Sequence, residues 1–454
     1  MLAGWTSLGS GLYSQAVLLS PGEALGNISE NGTLMAFVPW NTDPTTTFAG
    51  QSVGTYAFDF ALSTIYIKPA AAPAGSVYRA SVKIFGVLAA SKSNIVIRNI
   101  HITRFSLNGV LFENCRGCSV SSVEISDGGG AVIAPNPAAP PTYIYAGNGV
   151  EFDTNSSEGS VTGVSVFRVF DSGISPQTFH SNNTVSGIDI RDSTIDRCGF
   201  AGVEISVLSN GGTTGSSITD VTVAGVLVAN TGRGWSGRRY GTEGHGIRVM
   251  ADAGAGTMSG IRLERCTISN SIGDGVRLVG NIGGVLLHRM NVKINDRGIA
   301  VADPTATSLS LTLTSSLIHQ NGQGGLVYNA PTAAGLRVFQ NTFFSNPPIQ
   351  LAVFNQAGEA RIQNNIFHTT APVTHLYSSG VLVAPVIDNN CYTEMGNIVG
   401  YNGTPYASVA SFRSGTGFEM NGVGGDVDLT NPIGGDFSLQ PTSDCRGSGR
   451  QGWG

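Results

Sequence analysis

The chain has 454 residues, a formal net charge of −5, 41% hydrophobic residues and only 12% charged ones. That is too apolar for a disordered chain and too acidic for a nucleic-acid binder, whose phosphate contacts demand a basic excess. No run of about twenty apolar residues occurs, so no membrane span is expected, and Gly, at 62 residues, predicts many short strands parted by tight turns.

The N-terminal stretch "MLAGWTSLGSGLYSQ" has neither a charged n-region nor an apolar h-region, so it is not read as a signal peptide. Export would then follow removal of a leader, or release by another route such as a virion. Residues 1–90 are expected to form a cap of strands and loops. Lys68, Lys83, Lys92 and Lys293 are the only lysines, so Arg supplies the positive charge. Cys115, Cys118, Cys198, Cys266, Cys391 and Cys445 are dispersed, and the one C-x-x-C, Cys115 with Cys118, lacks the second pair of a zinc site. Buried thiols are the expectation for these cysteines, with a disulfide or a metal as the alternative.

Across residues 91–391 the chain repeats itself. The segments "VIRNIHITRFSLNGVLF", "GIDIRDSTIDRCGFAGVEI", "GIRLERCTISNSIGDGVRL", "VLLHRMNVKINDRGIAV" and "LTLTSSLIHQNGQGGLVY" share one plan. Each has a short alternating strand, a polar turn, then Gly and a second alternating strand. The glycines are Gly109, Gly149, Gly173, Gly202, Gly246, Gly275, Gly298 and Gly325, and the shortest interval, Gly275 to Gly298, is about 23 residues. A unit that short cannot hold a strand–helix–strand crossover, but it fits one rung of a coil whose stacked strands pair in parallel. The fold expected is all-β, a right-handed parallel β-helix with a small N-terminal cap, closed by residues 392–454. Asn230, Asn270 and Asn321 recur at turns, where Asn tolerates left-handed backbone.

These rungs, from about Asn94 to Cys391, resemble the right-handed parallel β-helix superfamily, which includes pectate-lyase-like enzymes, polysaccharide epimerases, several glycoside hydrolase families and phage tailspikes. "WTSLGSGLYSQAVLL" is similar to the family's N-terminal segment, and "DVDLTNPIGGDFSLQPTSDCRGSG" to its closing segment. The resemblance implies a fold and no particular reaction; an acidic polysaccharide as partner is expected from the charged mid-helix residues beneath the Arg- and Trp-bearing loop. "GHGIR", Gly244 to Arg248, is similar to the His-Gly element of pectin-cleaving hydrolases, but the Asp-Asp motif that should precede it is missing.

Period-two alternation points the residue two after each Gly outward. That column reads Leu111, Glu151, Ser175, Glu204, Arg248, Arg277, Ala300 and Val327, and the residues just before each Gly read Asn108, Asn148, Ser172, Ala201, His245, Asp274, Arg297 and Gly324. Charge gathers in the middle of both columns, so Glu151, Asp153, Glu204, His245, Arg248 and Asp274 are the candidate catalytic residues. Arg233, Trp235, Arg238, Arg239 and Tyr240, in "NTGRGWSGRRYGTEGHGIRV", together with Arg277, are candidate substrate-binding groups. Aromatic faces stack on sugars and guanidinium forks bind carboxylates or sulfates.

Two chemistries fit. Glu151, Asp153 and Glu204 suit a hydrolase, with one carboxyl as acid and another activating water. His245 with Arg248 and Arg277 suits a uronate lyase or epimerase, with Tyr240 as acid. No cofactor is expected, and Ca²⁺ enters only with the lyase reading, since family lyases often use it. Ordinary ion pairs, Glu204 with Arg248 and Asp274 with Arg297, are the bland alternative. The protein is thus expected to be an extracellular polysaccharide-degrading or -modifying enzyme, monomeric. The alternative is a non-catalytic polysaccharide-binding β-helix or tailspike component, trimeric.

Overall fold

From Phe85 onward the chain is built of strands three to nine residues long, recurring in groups of three. The structure is a computed structural model, and it describes residues 2–20, 23–41, 43–135, 143–208, 214–235, 244–252, 254–302, 309–330, 335–354 and 359–447. It falls into two units. The first comprises Met1–Pro176, Ser193–Glu204 and Ala229–Gly244; the second comprises Gln177–Asp192, Ile205–Val228 and His245–Gly454.

In the first unit, a mostly antiparallel sheet forms the cap: Thr6–Gly9, Leu12–Ala16, Thr64–Lys68, Thr55–Asp59 and Ala36–Phe37 lie side by side in that order. Beneath it Ile28, Met35, Tyr56, Phe58, Ile65, Ile67 and Tyr78 are buried together. Three parallel ladders follow. Val96–Arg98, Ser119–Ser121 and Ser160–Thr162 make one. His101–Thr103, Glu124–Ser126, Ser165–Phe167 and Thr194–Asp196 make the second. Phe85–Ala90, Asn108–Glu113, Val150–Asp153 and Ile174–Thr178 make the third. The middle residue of each short strand points inward, so Val120 stacks on Val161 and Ile125 on Val166, all fully buried. β-Branched side chains suit such positions because their stiff χ1 costs little entropy on a pleated surface.

The second unit repeats the plan at greater length. Its ladders run from Thr184–Arg191 to Val383–Asp388, from Thr267–Ser269 to Val423–Gly425, and from His245–Ala251 to Val399–Tyr401. One inner column reads Ile268, Val292, Ile318, Phe343, Phe367 and Tyr392. Its aromatic end is stacked, with ring centroids 5.1 Å apart for Phe343–Phe367 and for Phe367–Tyr392. The fold is therefore the all-β parallel β-helix expected from the repeat, with three strands to each rung.

The repeated Gly has a steric cause. A Cβ on Gly109 would lie 2.6 Å from the Gly149 carbonyl oxygen, and one on Gly275 would lie 2.6 Å from that of Gly298. Neither has positive φ; the constraint is close approach of the next rung's backbone. The left-handed positions are elsewhere, in turns, and include Asn230 and Asn270. Asn321 differs from them. It is fully buried, and its side chain bonds those of Asn295 and Asn346.

The helix ladder starts at Phe85, inside the residues expected to form the cap, and Val423–Gly425, beyond residue 391, still joins a ladder. Cys391 and Cys445 are joined in a disulfide, correcting the expectation of thiols there, whereas Cys115, Cys118, Cys198 and Cys266 are free and buried. Among the described residues no helix is long and apolar enough to cross a membrane.

Candidate functional site

In the first unit the outward column is set by strand register. Leu111 pairs with Glu151, and Glu151 with Ser175. A single backbone bond recurs at each step: Gly109 N–H to Asn148 O, Gly149 N–H to Ser172 O, and Gly173 N–H to Ala201 O, at 2.9–3.0 Å. The third of these carries the register onward and places Glu204 beside Ser175. Val150 and Phe152 fill the interior, while Glu151 and Asp153, each 5% exposed, take the other face.

The residues before each Gly hold the carboxylates. Asn108 Nδ2 and Asn148 Nδ2 both donate to Glu151 Oε2, at 2.9 and 2.8 Å. Asn148 Oδ1 accepts the Ser172 N–H at 3.0 Å, and the Ser172 hydroxyl donates to Glu204 Oε2 at 2.7 Å. One amide and one hydroxyl thus connect two buried carboxyl groups across two rung steps. An amide NH₂ only donates, so Glu151 Oε2 is held as an acceptor. Glu204 Oε2 instead accepts from the Ser172 hydroxyl. Asp153 Oδ1 accepts the next residue's N–H at 2.7 Å, a local turn bond.

In the second unit the same two columns carry the opposite polarity. Arg248 pairs with Arg277, and Arg277 with Ala300, which pairs in turn with Val327. Asp274, fully buried, is the anchor beneath them. Its Oδ1 accepts Arg297 Nε at 2.6 Å, and its Oδ2 accepts Arg297 Nη2 at 3.1 Å and Arg277 Nη1 at 3.0 Å. The Asp274 backbone N–H donates to His245 Nδ1 at 3.0 Å. An accepting Nδ1 carries no proton, which puts the ring proton on Nε2. The 3.6 Å separation of His245 Nδ1 from Asp274 Oδ2 is then no ion pair, because the shorter N–H···N bond fixes the ring nitrogen as acceptor. The expected pairing of Asp274 with Arg297 is present.

Trp235 is engaged within the first unit by residues of both the cap and the rungs. Its Nε1 donates to Gly128 O at 2.9 Å, and its ring lies near-parallel to Tyr56 and against Phe170. The half-buried indole therefore packs against the first unit's core. Arg233 is exposed. Arg238, Arg239 and Tyr240 lie outside the described residues. Asn108, Asn148 and Ser172 were visible in the sequence as the residues before each Gly, but their part as carboxylate donors was not. Among the described residues no group of three or more His, Cys, Asp or Glu could hold a metal.

A family model described as the right-handed β-helix region matches residues 81–239 and 236–367. Comparison with curated proteins found no match. Among solved structures, the complex of XylC with xylose superposes with a TM-score of 0.50 at 11% identity, covering 94% of this chain and 75% of that one. The periplasmic alginate epimerase AlgG gives 0.40 at 11% identity, covering 75% of this chain and 77% of that one. The GH136 lacto-N-biosidase from Eubacterium ramulus gives 0.38 at 14% identity, covering 65% and 51%. At 11% identity the likeness to XylC is one of fold.

Proposed function

We propose that this chain, which belongs to the right-handed β-helix family, is a carbohydrate-active enzyme that hydrolyses a polysaccharide at the Glu151–Ser175–Glu204 column. One observation carries the reading. Two buried carboxyl groups on one face, held by donors of different kinds, are linked through Asn148 and Ser172. Rungs stack about 4.8 Å apart, so two steps separate the carboxyl-bearing backbones by roughly 9–10 Å, near the ~6.5–9.5 Å that inverting glycosidases leave for a water. Glu151, fixed as an acceptor, is the base. It takes a proton from water as the water oxygen bonds the anomeric carbon. Glu204 gives its proton to the departing glycosidic oxygen as that C–O bond breaks.

The arginine cluster favours a second reading, a lyase or epimerase acting on uronates. Two guanidinium groups share the single Asp274 carboxylate, which leaves positive charge to meet a sugar carboxylate. That chemistry also needs a base at C5. His245 Nδ1 is already an acceptor for Asp274 N–H, so the base would be another group. The hydrolytic reading invokes no metal; Ca²⁺ belongs to the eliminative one. An oxidising, extracellular setting is supported by the Cys391–Cys445 disulfide.

Incubation with neutral and acidic polysaccharides, following reducing ends and the ultraviolet absorbance of unsaturated uronates, tests the proposal. Reducing ends alone, abolished in Glu151→Gln and Glu204→Gln, are expected. Reducing ends with absorbance would replace hydrolysis by elimination. Retention without turnover, in a protein that sediments as a trimer, would establish the binding or tailspike role.

A further inference from the structure

Ser175 is fully buried, sits on the strand Ile174–Thr178 with its side chain on the outward face, and pairs in register with Glu151. Among the described residues its Oγ has no hydrogen-bond partner. A buried hydroxyl without a partner costs about 1–3 kcal/mol, and Ala would fill the position without that cost. Other hydroxyls share this condition, Ser271 and Ser345 among them, but Ser175 alone of these lies between two carboxyl groups. Glu151 precedes it on one side, and the Gly173 N–H to Ala201 O bond brings Glu204 to the other.

We infer that Ser175 is the positioning residue for the attacking water, an inference that rests on the hydrolytic reading above. Side chains facing each other across adjacent parallel strands are about 4.8 Å apart. One water making two bonds of about 2.8 Å spans that distance. Donating one hydrogen to the Glu151 carboxylate and the other to Ser175 Oγ, the water keeps an oxygen lone pair directed away from both. That lone pair bonds the anomeric carbon while the glycosidic C–O bond breaks; Glu151 receives the water's proton and Glu204 protonates the leaving oxygen. Ser175 neither gains nor loses a proton. It restricts the water's orientation, which is an entropic contribution to kcat and not to substrate affinity.

The test compares Ser175→Ala, Ser175→Thr and Glu151→Gln in turnover, melting temperature and high-resolution crystal structures. Ser175→Ala is expected to lower kcat about 10- to 100-fold with KM unchanged and the melting temperature about equal, because no protein group among the described residues bonds Ser175 Oγ. Ser175→Thr, which keeps the hydroxyl, is expected to recover part of the loss. A crystal structure of the wild type is expected to show a water bonded to both Ser175 Oγ and the Glu151 carboxylate. Wild-type kcat in Ser175→Ala, with Glu151→Gln inactive, would overturn the inference and leave the hydrolytic reading standing. A fall in kcat matched by a fall in melting temperature would reduce Ser175 to a structural part. Should Glu151→Gln keep full turnover, the hydrolytic reading fails. The inference falls with it, whatever the crystal shows at Ser175 Oγ.

Discussion

Glu419 receives both the backbone N–H and the side-chain amide of Asn390, at 3.2 and 2.6 Å, and the Tyr392 hydroxyl at 2.6 Å. It ends a row in which Asn341, Asn365 and Asn390 each bond the next rung in the same way. The carboxyl is fully buried, and burial pushes its pKa up to about 7 against the pull of the Tyr392 and Asn390 donors; the nearby Asp388 raises it further.

The sign of the resulting pH dependence follows from linkage. A carboxyl whose folded pKa is raised from 4.5 to about 7 binds its proton more tightly in the native state. That stabilisation is complete below the unfolded value and is lost as pH rises through about 7, a change on the order of 3 kcal/mol. In Glu419→Gln the term vanishes, but one of the accepted bonds becomes a donor–donor contact. The wild type should therefore melt above Glu419→Gln at pH 5, and the gap should close or reverse by pH 8. A constant gap across that range, in thermal denaturation, would show that Glu419 does not titrate there.

The same row predicts a large effect from one amide. Asn365 Oδ1 accepts Asn341 N–H and Nδ2, while its own Nδ2 donates to Val338 O and Asn390 Oδ1. Asn365→Ala leaves several buried groups unpaired together, at about 1–3 kcal/mol each. A loss on the order of 4 kcal/mol is expected. Hydrogen exchange should locate it at the Asn341 amide, and a loss under 1 kcal/mol (about the value of a single ordinary bond) would mean that water replaces the row.

The Cys391–Cys445 bridge spans 54 residues, and chain entropy alone assigns a loop of that length about 4 kcal/mol. It ties Cys445 to the ladder strand Cys391–Thr393, beside Val427, Leu429 and Phe344. Reduction should therefore lower the melting temperature and open the segment after residue 391 to protease first. Equal protease patterns with and without reductant would show that packing alone secures it.

The rungs were legible because their signal is local and repeated: Gly, alternation and aliphatic residues coincide in rung after rung from Gly109 to Gly325. Glu151 with Ser175 in the first unit, and Arg248 with Arg277 in the second, could likewise each be assigned to one face of their own unit, since period two needs no long-range knowledge. The partners of those residues were not legible. Whether Glu151 meets amides and Asp274 meets guanidinium groups depends on the rung stacked beside each, and loops of unequal length separate the rungs. Trp235 shows the same limit. Its sequence neighbours are arginines, yet its indole packs against Tyr56, far away in the chain. The disulfide escaped for that reason as well, because Cys445 reaches Cys391 only through the fold of the closing segment.

Asp274 anchors the arginine pair, so its removal should separate stability from recognition. Asp274→Asn keeps the shape but discards the charge that holds Arg277 and Arg297, whose side chains are 27% and 29% exposed. Breaking a fully buried pair costs about 3–5 kcal/mol, and this partly solvated one should cost nearer 2 kcal/mol. Arg277→Ala, by contrast, leaves Asp274 satisfied by Arg297 and should cost under about 1 kcal/mol. If the arginines meet an acidic polysaccharide, Arg277→Ala should weaken retention in a polyuronate gel about tenfold, leave retention on a neutral glucan unchanged, and reduce the loss of binding with added salt. Equal retention of wild type and variant on both gels, with melting temperatures also equal, would make the arginine cluster a structural pairing and remove the main support for the uronate reading.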